Sequence, residues 1–373
     1  VELPPQMWSS PPILVFSGAH FEATGGGQRP SKLARELARL GHNVIHMAPG
    51  DHTNKWIDGV FVIAWEDFDE VFEATPPGVA ICRQEKGLRT AVARLDQVYN
   101  EFSYGLATPL AIKRLLTTAL SQWTIKPRYA VLVGNGTYDY RDLLQKHDNL
   151  LPPLLVPTGY GLFCSDSAYG DVNDDGLPEI AVGRLPVKTA DQLLGLVSKI
   201  KAYEAQIATS AARSLLVADA PDSAGNFPSA IQQVSAALAG SYSNQIVQCA
   251  SQSDLSTLRS TIQTRLNTGI DLVDYVGHGA LDRFGNAGYL TSADVPALEN
   301  GARLPVVVAV TCVSGQYSVP GSTSLAEYLL LQSQGGAVAV IAPTGLSVNQ
   351  DASRLNLRLM QLLPANAQAA IGD

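Results

Sequence analysis

Two apolar runs in this chain each end at a reactive side chain beside glycine. The first is Asp271-Leu-Val-Asp-Tyr-Val-Gly-His-Gly279 and the second is Val306-Val-Val-Ala-Val-Thr-Cys-Val-Ser-Gly315. His278 stands between Gly277 and Gly279, and Cys312 follows five apolar residues and a threonine. A base at one strand tip and a thiol at another is the arrangement a cysteine nucleophile requires. An unperturbed thiol has a pKa of about 8.5, so at neutral pH it needs a partner. An imidazole can take the proton and leave the thiolate. Glycines beside these groups let a substrate backbone come close and free N–H groups to hold an oxyanion. Taken alone, Cys312 reads equally as a buried core cysteine. His278 alone reads as a hydrogen-bonded core histidine, a reading its two flanking glycines weaken. His20, His42, His46, His52 and His147 have no comparable setting and read as surface or loop residues.

The elements that must position these tips alternate strand and helix. Ile13–Phe16 and Val44–Met47 bracket a helical stretch over 30–40, with Pro30 near its start and Gly41 past its end. Val60–Ala64 reads as a strand, 76–87 as a broken helix and Thr90–Ala93 as a strand. A helix over Leu110–Leu120 and a strand over Ala130–Val133 follow, then a loop-rich segment over 141–177. Beyond it the alternation is regular. Strands at Ile180–Val182, Leu215–Ala218, Ile246–Gln248, Leu272–Val276, Val306–Thr311 and Ala337–Ala342 are interleaved with helices. Those helices carry Leu193, Ile231, Leu258 (with Asp254 as an N-cap), Leu325 and Arg354. This order predicts a mostly parallel sheet with helices on both faces. Such sheets place ligands at the carboxyl ends of their strands.

Tyr275-Val-Gly-His-Gly279 and Thr311-Cys-Val-Ser-Gly315 resemble the histidine and cysteine motifs of the gingipain-type cysteine peptidases, a family of the caspase-like clan. Three further segments match family landmarks in order. They are Gln97-Val-Tyr-Asn-Glu-Phe-Ser-Tyr-Gly105, Tyr129-Ala-Val-Leu-Val-Gly-Asn-Gly-Thr-Tyr-Asp139, and Pro178-Glu-Ile-Ala-Val-Gly-Arg-Leu-Pro186 with the helix ending near Lys201-Ala-Tyr-Glu204. The resemblance covers roughly residues 58 to 373. It implies an α/β fold, a caspase-like three-layer α/β/α sandwich with a mostly parallel sheet, preceded by a smaller α/β subdomain. Three segments are expected: a βαβ piece over 1–57, an N-terminal α/β subdomain over 58–150, and a catalytic subdomain over 151–373. The chain ends at Ile371-Gly-Asp373, where the family pattern begins one more helix.

The resemblance also implies roles. Cys312 is the nucleophile, His278 the proton-transfer group, and the N–H groups of Gly279 and Cys312 the oxyanion donors. A supporting acid stands at the end of the strand before the Ile231 helix. Asp219 in Leu215-Leu-Val-Ala-Asp219 occupies that place, with a turn-initiating aspartate as the alternative. Arginine-specific relatives carry an acid near the start of the next helix, where this chain has Ala230. Substrate contacts are therefore expected from Asp222, Ala230 and Gly277. Asp222 is the first candidate acid if P1 is basic, and otherwise P1 is uncharged.

Asp171-Val-Asn-Asp-Asp-Gly-Leu-Pro-Glu179 sets oxygen ligands at alternate positions around a glycine turn. It resembles the front of an EF-hand loop, with Asp171, Asn173, Asp175 and Glu179 as candidate calcium ligands, although Glu179 arrives early for that motif. Calcium here would be structural, since catalysis needs no cofactor. A plain acidic turn is the alternative.

The 373 residues are 46% hydrophobic and 16% charged, enough for a substantial core. A net charge of −8 argues against a nucleic-acid-binding face. No apolar run reaches the roughly 18 residues of a membrane span. The partner expected is a peptide or protein substrate. A first residue other than Met reads as a mature or trimmed chain. Low Lys and Arg usage fits an extracellular or periplasmic protein. Cys82, Cys164, Cys249 and Cys312 show no CxxC spacing, which argues against zinc and leaves a Cys82–Cys164 or Cys164–Cys249 bridge open. Two rival functions remain: an inactive caspase-like binding or assembly module, and a nucleotide-sugar-binding transferase using Gly25-Gly-Gly27 within residues 12–48.

Overall fold

Parallel strands covered on both faces read as continuous apolar runs, and Val306–Val310 is such a run, as is Leu272–Val276 but for Asp274. The computed structural model describes residues 89–146, 149–206, 212–249 and 255–365, and four strands nearer the start. The chain divides into two compact units, Val1–Gln97 and Val98–Asp373.

In the first unit the strands are β1 (Ile13–Phe16), β2 (Val44–Ala48), β3 (Lys55–Ile57) and β4 (Val60–Ala64). They form a sheet of order β1-β2-β4-β3, parallel except for the β3–β4 pair. This sheet spans position 57, where the sequence suggested a division. Residues 90–93, expected as a strand, belong to no strand, and helix α1 (Leu95–Ser103) begins just after them. The helices expected over 30–40 and 76–87, the Gly25–Gly27 turn, Cys82 and the Asp254 cap lie outside the described residues.

The second unit continues with α2 (Pro109–Gln122), β5 (Tyr129–Val133), β6 (Leu155–Thr158), β7 (Gly161–Cys164), α3 (Ser167–Gly170), β8 (Ala181–Leu185) and α4 (Ala190–Ala205). Next come β9 (Ala212–Ala218), α5 (Phe227–Leu238), β10 (Tyr242–Gln248), α6 (Leu255–Asn267) and β11 (Leu272–Val276). A small antiparallel sheet of β12 (Gly279–Ala280), β13 (Arg283–Phe284) and β14 (Leu290–Thr291) precedes β15 (Val306–Val310), α7 (Leu325–Leu331), β16 (Ala339–Ile341) and α8 (Asn349–Ala365). The stretch expected as loop over 141–177 contains the β6–β7 hairpin and α3. Pro157 in β6 hid the hairpin from a pattern reading, because proline in a strand is tolerated only at edges. β5 pairs with β8 in parallel across position 150.

The main sheet runs β10-β9-β11-β15-β16, all parallel. Alternation along β9, β11 and β15 sends successive residues to opposite faces. Leu215, Val217, Val273, Tyr275, Val307 and Ala309 pack with α6 and α7. Leu216, Ala218, Leu272, Val276, Val308 and Val310 pack with α5 and α8. The result is three layers. Cys164 and Cys249 are free thiols, so the bridge between them is absent.

An ion pair on β8 ties several segments together. Arg184 on β8 donates Nε and a terminal nitrogen to the two oxygens of Asp166, both at 2.8 Å. Its other terminal nitrogen donates to the carbonyls of Gly134 at 2.7 Å and Leu151 at 3.1 Å. The guanidinium lies 4.3 Å from the Tyr317 ring centre, and the Tyr317 hydroxyl donates to Asp166. Arg184→Leu would leave the half-buried Asp166 carboxylate with only the Tyr317 hydroxyl and strip two carbonyls of their donor. We expect it to lower unfolding free energy by about 3–5 kcal/mol, measured by urea denaturation.

Candidate active site

The strand register itself brings the two reactive residues together. β11 and β15 pair in parallel with Val276 opposite Val310. His278 and Cys312 each stand two residues beyond that pair, at the carboxyl edge of the sheet. The ladder continues there: Gly277 N–H donates to Val310 O at 3.1 Å. Gly279 then lies so close to Thr311 that a Cβ on it would stand 2.3 Å from Thr311 Oγ1. Gly277 is equally constrained, since its Cβ would stand 2.3 Å from the Asp219 Cβ.

The peptide around His278 is clamped. Its N–H donates to Asp219 Oδ2 at 3.0 Å, and its carbonyl accepts from the Tyr275 hydroxyl at 2.6 Å. Asp219 ends β9 and is only 4% exposed. Its Oδ1 accepts from the Tyr289 hydroxyl at 2.6 Å and from Ala220 N–H at 2.7 Å. Burial, aided by this carboxylate, raises the Tyr289 and Tyr275 hydroxyls far above the usual phenol range, so both stay donors. Asp219, expected to support the imidazole, therefore holds the histidine's backbone and not its ring.

The ring meets Asp222. Asp222 Oδ2 stands 2.7 Å from His278 Nε2, and its Oδ1 accepts from Ala224 N–H at 2.8 Å. The hydrogen bond with His278 holds the Asp222 carboxyl below its ordinary range, so it is charged at neutral pH. Asp222, expected as a substrate contact, thus has both oxygens occupied. A strand end is a rigid, buried place, whereas three residues further on the loop has room to reach over the imidazole. Phe227 supports the ring edge-on, with centroids 5.4 Å apart. It is the first residue of α5, whose N-cap Asn226 accepts from Ser229 N–H.

Cys312 is partly exposed, while Cys164 and Cys249 are buried. Val313, directly after it, has φ +45°. A β-branched residue rarely adopts this left-handed region, which costs on the order of 1–3 kcal/mol and occurs mainly at functional sites. Val313 N–H donates to Gly345 O at 3.0 Å and Gly315 N–H to Pro343 O at 2.9 Å, which holds the turn. The loop after β16 also reaches the sulfur: Ser347 N–H donates to Cys312 Sγ at 3.4 Å. The thiol in turn faces the Ser347 carbonyl at 3.9 Å. Thr344 anchors that loop by donating to the Cys164 carbonyl.

A model of peptidase family C25 matches residues 60–373. The chain belongs to this family. It is 29% identical over 277 residues to gingipain R2 of Porphyromonas gingivalis, covering 70% of this chain and 34% of that protein. Gingipain R1 of the same organism is 29% identical over 277 residues, covering 70% of this chain and 25% of that protein. The chain thus spans about a third or less of the length of these relatives. The crystal structure of the Arg-specific cysteine proteinase gingipain R matches with a TM-score of 0.65 at 23% identity, covering 81% of this chain and 68% of that one. The fold is accordingly the caspase-like α/β/α sandwich.

Other expected site residues of this C25 chain fall elsewhere. Ala230 is half-buried on α5 and offers no charge. The candidate calcium loop closes on itself. Asp171 accepts from the N–H groups of Asp175 and Gly176, and Asp175 accepts from that of Leu177. The Asn173 amide donates to Asp175 and Glu179. Among the described residues no three His, Cys, Asp or Glu side chains are grouped to share an ion. As arranged, these oxygens accept from the loop's own N–H and amide donors. Sequence reading missed Ser347, which acts through its backbone, and Val313, whose φ leaves no mark in a valine. It also missed Tyr275 and Tyr289, which read as core aromatics. Asp219→Ala would strand the His278 N–H and the Tyr289 hydroxyl. We expect a stability loss of about 1–3 kcal/mol for each stranded donor, read by denaturant melts, against a much smaller change for the exposed Asp222→Ala.

Proposed function

We propose that the chain is a cysteine endopeptidase in which Cys312 is the nucleophile, His278 the proton-transfer group and Asp222 the acid that orients it. The observation that carries this is the shared register of β11 and β15, which sets His278 and Cys312 at one sheet edge. In this reading Cys312 Sγ attacks the scissile carbonyl carbon, and its oxygen gathers charge facing the N–H groups of Cys312 and Gly279. Collapse of that intermediate breaks the C–N bond, and the imidazolium gives its proton to the leaving amine. Water then hydrolyses the thioester and frees the thiol. Because Asp222 occupies Nε2, Nδ1 is the ring nitrogen left to handle the proton. Ser347 N–H donates to the sulfur and holds it in place. Asp219 fixes the backbone from which the ring projects, a positioning role. Peptides or proteins are the substrates, and all the chemistry uses the chain's own groups.

Cys312→Ala should abolish hydrolysis of a mixed peptide library while leaving the melting temperature close to wild type, because little buried volume is lost. Residual turnover in that variant, with the protein folded, would remove Cys312 from the mechanism.

The occupied oxygens of Asp222 and the uncharged Ala230 bear on specificity. Neither leaves a carboxylate free for the paired contact that a guanidinium favours. A positional-scanning library should show uncharged P1 residues preferred over Arg. Asp222→Asn should lower kcat by about 10-fold or more, the scale of proton-transfer assistance, and leave P1 preference unchanged. A dominant Arg preference lost in Asp222→Asn would return Asp222 to the substrate pocket.

A further inference from the structure

Asp274 is the middle residue of β11, three residues before the Gly277-His278 turn, and it is fully buried. It shares a sheet face with Leu272 and Val276, against the apolar cluster formed by α5 and α8. Its only bonded oxygen, Oδ2, accepts from Asn356 Nδ2 of α8 at 2.8 Å. Asn356 is itself 3% exposed. Two buried oxygens are then left without partners: Asp274 Oδ1 and Asn356 Oδ1. An ionised carboxylate only accepts hydrogen bonds, and so does an amide oxygen. Two acceptors on one hydrogen-bonded pair of side chains in an apolar layer cannot satisfy one another. One proton on Asp274 Oδ1 resolves both, giving the acid a donor for the amide oxygen while the amide N–H serves the acid carbonyl.

We propose that Asp274 and Asn356 form a neutral carboxylic acid–amide pair that latches α8 onto the His278 strand and so positions the loop that contacts Cys312. The loop is continuous with the helix. Ser347, which donates to Cys312 Sγ, stands two residues before α8. Asn349, the first residue of α8, donates to the Ala224 carbonyl in the Asp222 loop at 3.2 Å. The helix thus links three parts of the site: the His278 strand through Asn356, the thiol through Ser347 and the Asp222 loop through Asn349.

No nearby charge opposes a neutral Asp274. Helix α5 (Phe227–Leu238) has no ionisable side chain, and neither does β15. The ionisable residues of α8 among those described, Asp351, Arg354 and Arg358, are exposed. Arg213 lies near the far end of β9, beside Ser214, which pairs with Leu272. Asp271 precedes β11 and is exposed. Burial pushes the Asp274 carboxyl up to about 7, opposed only by the Asn356 hydrogen bond. Because the folded value lies above the unfolded one of 3.8, the pair's contribution is complete below about pH 4. It is lost progressively as pH rises through about 7.

Asp274→Asn tests this, since an amide–amide pair keeps both hydrogen bonds and cannot ionise. Wild type and Asp274→Asn should melt alike near pH 4, where the pair is fully protonated, and Asp274→Asn should melt higher near pH 8. Infrared spectra with isotope-labelled aspartate should show a buried protonated carboxyl band in wild type. The band should fade as pH rises through about 7 and be absent from Asp274→Asn. The positioning role rests on the peptidase reading, and it predicts that Asp274→Asn keeps kcat on the alkaline side where wild type loses it. Parallel melting curves, no protonated band, or an Asp274→Asn chain that cannot fold would overturn the pair. Unchanged alkaline kcat loss in Asp274→Asn would overturn its link to the site. If neither protein hydrolyses peptides, the proposed function fails while the melting and infrared results still decide the pair.

Discussion

The parallel register of β11 and β15 is the constraint on which the rest of the site depends. A one-residue slip would turn the alternate residues of β15 to the wrong faces and move Cys312 away from His278. Register here is fixed by burial on both sides. Val273, Tyr275, Val307 and Ala309 belong to one core, and Leu272, Val276, Val308 and Val310 to the other. Neither core tolerates the other's residues without losing its packing. The same burial that stabilises the domain therefore sets the relation between the thiol and the imidazole. That relation needs no direct contact between the two side chains to be specified.

Three buried or half-buried carboxylates show how this fold handles charge. Asp166 is neutralised by a two-pronged contact with Arg184. Asp219 faces no cation and is stabilised by N–H and O–H donors converging from His278, Ala220 and Tyr289. Asp274 has a single donor in an apolar layer, the case in which giving up the charge is cheapest. Position along the strand decides among these outcomes. Strand ends offer free backbone N–H groups, while a strand centre has already spent its own on the ladder.

Much of this was legible in the residues, and the rest was hidden for definite reasons. Continuous apolar runs marked β9, β11 and β15, and the glycines marked the tips at His278 and Cys312. The choice of acid was not legible. Asp219 and Asp222 are three residues apart, and only the path of the loop decides which one reaches the ring. The β6–β7 hairpin was obscured by Pro157. The pairing of β2 with β4 across position 57 is a long-range contact that composition does not record. Contacts made through backbone atoms, such as Ser347 to sulfur, are independent of side-chain identity and leave no pattern to read.

The site combines two kinds of support that answer different chemical needs. In the proposed mechanism His278 carries a proton to a moving leaving group, so its ring needs freedom while its backbone does not. The clamp by Asp219 and Tyr275 acts on the peptide, and the ring meets the exposed Asp222 and the edge of Phe227. In the same reading Cys312 attacks along one line, and the strained turn after it and the N–H that meets its sulfur suit that role. Both supports converge on the loop between β16 and α8, which touches the thiol at Ser347 and the Asp222 loop at Asn349. A helix end is well suited to that task, because α8 is buried along one face and transmits the position of the sheet to its first turn. The catalytic geometry is therefore set as much by what packs behind β11 as by the residues at its tip.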